Sequence, residues 1–441
     1  MNPADGRTGA ILAPRRGRVL LPIPASAHAK EIAHGDAWRT LVFLALLPLF
    51  GETFQYIVDT PLLYRLAKGW PLLTLPLAAW GVARLDLPYK APLLLACGWT
   101  LGVTPLLGVW QLGNLIGGAL ASTLKVWALS YGFSAAAALV LLRPSPRGLA
   151  RIVVALGVLT FVALVVIWAL APPEAYFRTI QETKIFLYDE ERGNRVNVPM
   201  FLGLLSIFTL ARSFWARPGW KQPAVLAVFF FLMLTLFKER LPILGSVLVI
   251  GLGAILSNRK WRWPWLVGVV ALASLALPTY LAIHGDRLAD SLGGSLTYRR
   301  QELQDAFAFL DAEPWRWITG VGSATRIGDV TLADLVGSKY FFLADLGWLG
   351  VVFEYGLVGA ALLMAVLLCG LVLTWRAVRP EEPLSGGCFD YLLYVLLTSP
   401  VSSVVMAPGE ALTCMAIAWY LTVHRNEARK PSGFQSGGRR S

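Results

Sequence analysis

At residues 234–245 the sequence LTLFKERLPILG sets three consecutive charges, Lys238, Glu239 and Arg240, between two apolar runs. Cations so placed can clamp a phosphate or diphosphate. Guanidinium suits that task because it stays charged and donates hydrogen bonds in a planar fork. Pro242 stiffens the turn, so the side chains can be positioned before a ligand arrives. The same residues also fit a turn among lipid headgroups, with Arg240 snorkelling to a phosphate.

A second set lies in SLTYRRQELQDAFAFLDAEPWRWITGVGSATRIGD. Leu303, Ala306, Phe307 and Leu310 recur at i, i+3, i+4 and i+7, which predicts an amphipathic helix over 297–310 with one apolar face. Arg299 and Arg300 open it and Asp311 closes it. Pro314 and the two Trp that follow predict a stop at a membrane surface. Gly320-Val321-Gly322 is a turn where backbone can approach a ligand, and Arg326 comes just after. A surface helix with solvated charges would give the same pattern, but three Arg flanking a Gly turn favour an anionic ligand.

Third, Asp345 and Glu354 interrupt the apolar stretch 341–363. Carboxylates in membrane segments are costly and are functional candidates by default. Burial would raise the pKa of Asp345 toward what a general base at neutral pH needs, and either carboxylate or Glu239 could serve. The plainer alternative is an Arg or backbone partner for Asp345. Loop 173–197 mixes Arg178, Lys184, Arg192 and Arg195 with carboxylates and reads as a solvated outer face. Glu52 and Asp59 are weaker candidates. The four His form no metal-ligand spacing, and no GxSxG or phosphate-cradling Gly loop occurs, so no metal or other cofactor is expected.

These residues must be held by membrane spans. The chain is 56% hydrophobic and 15% charged, with mean hydropathy +0.59. A soluble domain with that composition would have a mostly apolar surface. Apolar segments fall at 41–58, 69–84, 91–112, 124–142, 152–172, 198–214, 223–237, 241–257, 265–283, 350–375, 389–406 and 409–424. The expectation is an all-α polytopic membrane protein of about 12 spans, each needing roughly 20 apolar residues. The four Cys are scattered and give no disulfide framework.

Orientation follows from the Lys and Arg. With the N-terminus cytoplasmic and strict alternation, 24 of the 39 fall on the cytoplasmic side. Most of the others lie in two long outer loops, 173–197 and 284–340, which weigh little. The net charge of +12 then reflects basic cytoplasmic loops, not nucleic acid. Lys238 and Arg240 stand out because they fall in a very short outer turn. The organisation read from this is a cytoplasmic tail 1–40 with no removable signal peptide, spans one to nine over 41–283, an outer loop 284–340, spans ten to twelve over 341–424, and a disordered cytoplasmic tail 425–441.

The pattern resembles the bacterial O-antigen polymerase and O-antigen ligase superfamily, inner-membrane glycosyltransferases that use lipid-linked oligosaccharides. The matching features are Arg240 at an outer helix boundary, Arg299 and Arg300 leading a loop helix, Pro314, Gly320-Val321-Gly322, and Asp345 before Glu354-Tyr355-Gly356-Leu357-Val358-Gly359. They cover roughly 235–375. Ligase members usually carry a His where Leu343-Ala344-Asp345-Leu346-Gly347 stands here, so the resemblance leans toward a polymerase with Asp345 in the polar role. It implies a GT-C-like helical fold and periplasmic, metal-independent and inverting sugar transfer from a polyprenyl diphosphate. Lys238, Arg240, Arg299, Arg300 and Arg326 would hold the diphosphate, and Asp345 or Glu239 would serve as base. Implied partners are membrane lipid, a flippase and a chain-length regulator. A ligase acting on a lipid acceptor, a transporter of a lipid-linked or anionic substrate, and a non-catalytic envelope subunit are the other readings. A transporter would show polar residues along many spans and a twofold repeat, and neither is evident.

Overall fold

The computed structural model describes residues 29–55, 57–177, 185–189, 192–257, 294–323, 332–337, 341–402 and 408–428. The helices are α1 (Ala29–Phe50), α2 (Pro61–Leu73), α3 (Leu75–Arg84), α4 (Lys90–Leu112), α5 (Ile116–Leu142) and α6 (Pro146–Leu170). A hairpin follows, β1 (Phe186–Asp189) and β2 (Gly193–Val196). Then come α7 (Phe201–Ala216), α8 (Lys221–Phe237), α9 (Arg240–Ser257), α10 (Gly294–Asp311), α11 (Trp315–Thr319), α12 (Trp348–Ala377), α13 (Pro383–Thr398) and α14 (Gly409–Ala428). The described parts of the expected apolar segments are largely helical, with turns over 51–55 and 399–402; 265–283 and 403–406 lie outside the described residues.

Local chemistry sets the boundaries. Between α2 and α3 the chain breaks at Thr74, because Pro76 has no N–H to continue the ladder; the Thr74 hydroxyl joins its own N–H on Trp70 O, at 3.0 Å. At the head of α6, Ser145 accepts from Gly148 N at 3.1 Å and Pro146 takes the first helical position. Helix α8 ends in a π turn whose last bond, Lys238 N to Met233 O at 2.7 Å, puts Lys238 in the left-handed region at φ 56°.

Four helices, α4, α5, α6 and α12, are long and apolar enough to cross a membrane. Residues 38–50 of α1, together with α7, α8 and most of α9, are apolar but shorter. The outer face of α6 exposes Val158, Leu159, Val162, Val165, Val166, Trp168 and Leu170, a continuous apolar surface that suits lipid and not water. Helix α7 packs between α6 and α13, and α5 packs against α3 and α14. Gly157 and Gly387 make the first two contacts close, since a Cβ on either would overlap Ser206 or Thr209 of α7. Arg212 of α7 and Asp390 of α13 form a two-pronged ion pair at 2.7 and 2.5 Å, both nearly buried.

Contacts between loops sort them into two sets. Tyr420 bonds Pro144 O at 2.8 Å, and Arg425 bonds Glu382 at 2.6 Å. In the other set Gln111 bonds Gly320 O at 2.9 Å, Lys238 bonds Arg192 O at 2.9 Å, and Gly409 N bonds Glu52 at 2.8 Å. The hairpin is the departure from an all-helical expectation.

Candidate functional site

The charged turn is a docking point. Lys238, turned by its left-handed backbone, donates to Arg192 O at 2.9 Å and Asn194 O at 3.0 Å. Glu239 accepts from Arg195 at 2.5 Å and lies 3.7 Å from Arg192. Two strands of four residues are marginal alone, so this lashing is what fixes the hairpin. Loop 173–197 is therefore not simply a solvated face: its two strands fold onto the turn and bring Arg192 and Arg195 with them. Arg240 is exposed at the head of α9. Two arginines thus flank one carboxylate, Arg195 at one oxygen of Glu239 and Arg192 at the other.

The loop helix α10 is turned differently from the expected apolar face. Ala306 and Leu310 are buried, but Leu303 and Phe307 are exposed, and Glu302 is only 8% exposed. The buried stripe runs 302, 306, 310, an i+4 row that meets the start of α12, where Phe309 and Phe341 bracket Phe353 at 5.5 and 5.7 Å. Phe307 meets Trp317 of α11 at 5.7 Å instead. Arg316 lies over Phe309 at 4.5 Å and pairs with Glu313 at 3.3 Å, so it braces the α10–α11 corner.

This rotation brings Arg299 to Asp345 at 3.8 Å, with both side chains close to half exposed. Arg300 is exposed beside them. Asp345 is therefore not buried as expected but close to half exposed. The carboxyl that burial does act on is Glu302. It accepts from Phe342 N at 3.1 Å, and its pKa is pushed above the ordinary carboxylate range, chiefly by burial. Asp345 and Asp305 add to that rise; the Phe342 N–H and Arg299 oppose it. Arg299, Glu302 and Asp345 form one electrostatically connected trio. Arg326 lies outside the described residues.

The two charged regions border the same feature, the end of α13. Gly245 of α9 lets that helix press on α13: a Cβ there would come within 2.8 Å of Tyr394 and 3.0 Å of Thr398. From the other flank, Trp348 donates to Ser399 Oγ at 2.9 Å, and a Cβ on Gly347 would overlap Pro400 O. Lys238, Glu239 and Arg240 thus stand on one side of the α13 terminus and Arg299, Glu302 and Asp345 on the other.

Sequence reasoning missed two partners of named residues. Glu354, fully buried, pairs with Lys125 of α5 at 2.5 and 2.6 Å. The signal was available: Lys125 heads the fourth apolar segment and Glu354 is the one carboxylate in the tenth, and opposite charges inside a membrane seek each other. Glu302 carried no such signal, because only the rotation of α10 buries it. One cavity, of about 390 Å³, is lined by residues that include Arg151, Thr209, Ser213 and Pro383. Another is small and apolar. Neither is lined by Arg299, Glu302 or Asp345.

No family model and no curated protein matches the chain. Five chains of solved structures match it. One, from a structure titled "Structural coordination of polymerization and crosslinking by a peptidoglycan synthase complex", is 18% identical and aligns over 75% of this chain and 97% of its own, with a TM-score of 0.44. A likeness that weak assigns neither fold nor activity here.

Proposed function

We propose that the chain is a glycosyltransferase of the bacterial inner membrane, with both termini cytoplasmic, that polymerises polyprenyl-diphosphate-linked oligosaccharides on the periplasmic side. Arg240, Lys238, Arg299, Arg300 and Arg326 bind the diphosphate, and the hairpin's Arg192 and Arg195 extend that positive field. Asp345 is the base, because it is the accessible carboxylate of its trio. Glu239 is a brace for the hairpin more than a base, since its oxygens are engaged.

In this reaction an acceptor hydroxyl oxygen bonds to the anomeric carbon of the donor as the bond from that carbon to the diphosphate breaks. The electron pair leaves with the diphosphate, whose growing charge the arginines offset. The hydroxyl proton passes to Asp345 and then to water. A single displacement inverts the anomeric centre. The observation that supports the reading best is the pairing of Arg299, a phosphate-binding side chain, with a half-exposed carboxylate at 3.8 Å. The departure from His at Asp345 favours polymer extension over ligation.

The test supplies purified protein with lipid-linked oligosaccharide and no nucleotide sugar, and reads chain length. Extension by the wild type, and its loss in Arg240→Ala and Arg299→Ala variants that elute as the wild type does, supports the proposal. Normal polymer from both variants overturns it.

A further inference from the structure

Helix α12 is broken at Gly356, where φ is 67° and ψ 178°, a conformation close to exclusive to glycine. The break removes the ladder partners of the preceding carbonyls, and inside a membrane each must find another donor. Residues 320–323, an extended strap after α11, provide two. Val321 N donates to Phe353 O at 2.8 Å and Gly322 N to Glu354 O at 3.2 Å. Trp99 of α4 supplies a third, to Tyr355 O at 2.8 Å.

The strap is equally tied on its other side. Gln111 of α4 donates to Gly320 O at 2.9 Å. Ser122 of α5 donates to Ser323 O at 2.8 Å, and Ser323 returns a bond to Ser122 O at 3.1 Å. A Cβ on Gly322 would lie 2.5 Å from Gly108 N, so the strap touches the α4 backbone itself. It is a wedge between α4 and α5 on one side and the broken α12 on the other. One turn along α5 from Ser122, Lys125 reaches across that wedge to Glu354, the residue whose carbonyl the strap holds.

We propose that the Lys125–Glu354 ion pair is the latch that keeps this strap seated, and that both are positioning residues for the outer loop. The strap follows α11 directly, and α11 packs on α10, α12 and the Arg316 corner. Seating the strap therefore sets where Arg299 stands against Asp345. A hydrogen bond between neutral groups would hold the wedge less firmly than this charge pair, whose carboxylate is fully buried. The latch itself does not depend on the activity proposed above; its consequence for turnover does.

The test is a cross-link. In Ser122→Cys/Ser323→Cys protein the two thiols face each other across the strap, and oxidation should join them in high yield, read as the linked peptide by mass spectrometry. Glu354→Gln and Lys125→Met each lower that yield at least about threefold. The double variant Lys125→Met/Glu354→Gln leaves no unpaired buried charge, so it folds, yet it shows the same loss. Unchanged yield in the folded double variant overturns the latch. Covalent joining should also restore glycan extension to Glu354→Gln protein to within about threefold of the cross-linked wild type. If cross-linked Glu354→Gln stays inactive while cross-linked wild type works, Glu354 acts other than through the strap and the proposal fails. If neither form extends glycan, the glycosyltransferase reading fails, and the cross-link yields still decide the latch.

Discussion

Replacing Asp345 by Asn separates chemistry from stability at one residue. The Arg299–Asp345 pair has an N···O distance of 3.8 Å, with side-chain exposures of 41% and 47%. Two unit charges that far apart in water attract by about 1 kcal/mol. Side-chain ordering and salt screening leave roughly 0–1 kcal/mol net for such an exposed pair. In a chain this size that is a melting shift of no more than about 2 °C. A general base contributes on the order of 10²–10⁴ in rate, about 3–5 kcal/mol of barrier. Asp345→Asn should therefore lose at least about a hundredfold in kcat for extension of lipid-linked oligosaccharide, with its melting temperature in detergent within about 2 °C of wild type. Asp345→Glu, which keeps the acid but moves it, should recover part of the rate. Wild-type kcat in Asp345→Asn would remove Asp345 as the base. A large melting shift would mean the exposed pair holds the loop, against the geometry.

Three other outcomes follow from the geometry. Glu239→Gln removes the charge that holds Arg195 at 2.5 Å, a bond worth about 1.5–3 kcal/mol when charged, so amide exchange across 186–196 should quicken by at least about tenfold; unchanged protection would mean that the Lys238 bonds alone dock the hairpin. Gly356→Ala forces a side chain into left-handed backbone and onto Ile318 O, so folded yield should collapse, whereas a monodisperse, wild-type-like protein would contradict the break. Glu302 is held protonated to higher pH in the folded protein than in the unfolded chain, chiefly by burial. Over that window the folded state binds more protons, so its contribution to stability falls as pH rises above the ordinary carboxylate range and levels off above the folded value. Glu302→Gln should flatten that slope in melting scans taken upward from about pH 4.5, and an unchanged slope would assign it elsewhere.

What the sequence revealed depended on how far the deciding contact lay along the chain. Spans are written locally, in runs of apolar residues that must each satisfy their own backbone, so the segments at 91–112, 124–142, 152–172 and 350–375 map onto helices whose ends differ from them by at most eight residues. The hairpin is not local in that sense: FLYD and GNRV lack the length to hold a strand pair, and Lys238 and Glu239, more than forty residues on, help to fix them. The face of α10 misled for a related reason. Periodicity marks an apolar stripe, but in a membrane protein apolar side chains can turn toward lipid, so Leu303 and Phe307 went outward and the core took Ala306, Leu310 and the polar Glu302. Asp345 and Glu354 were both visible as charges in apolar sequence, and their fates diverged because solvent reaches one and not the other. Glu354 had to find a cation, and Lys125, equally out of place in its own span, was the one whose cost it could offset. Unexplained charges in separate spans are thus best read as a pair before either is read as a catalyst; on that rule Glu354 passes to the frame that holds the loop, and Asp345, whose arginine partner shares it with solvent, stays with the chemistry.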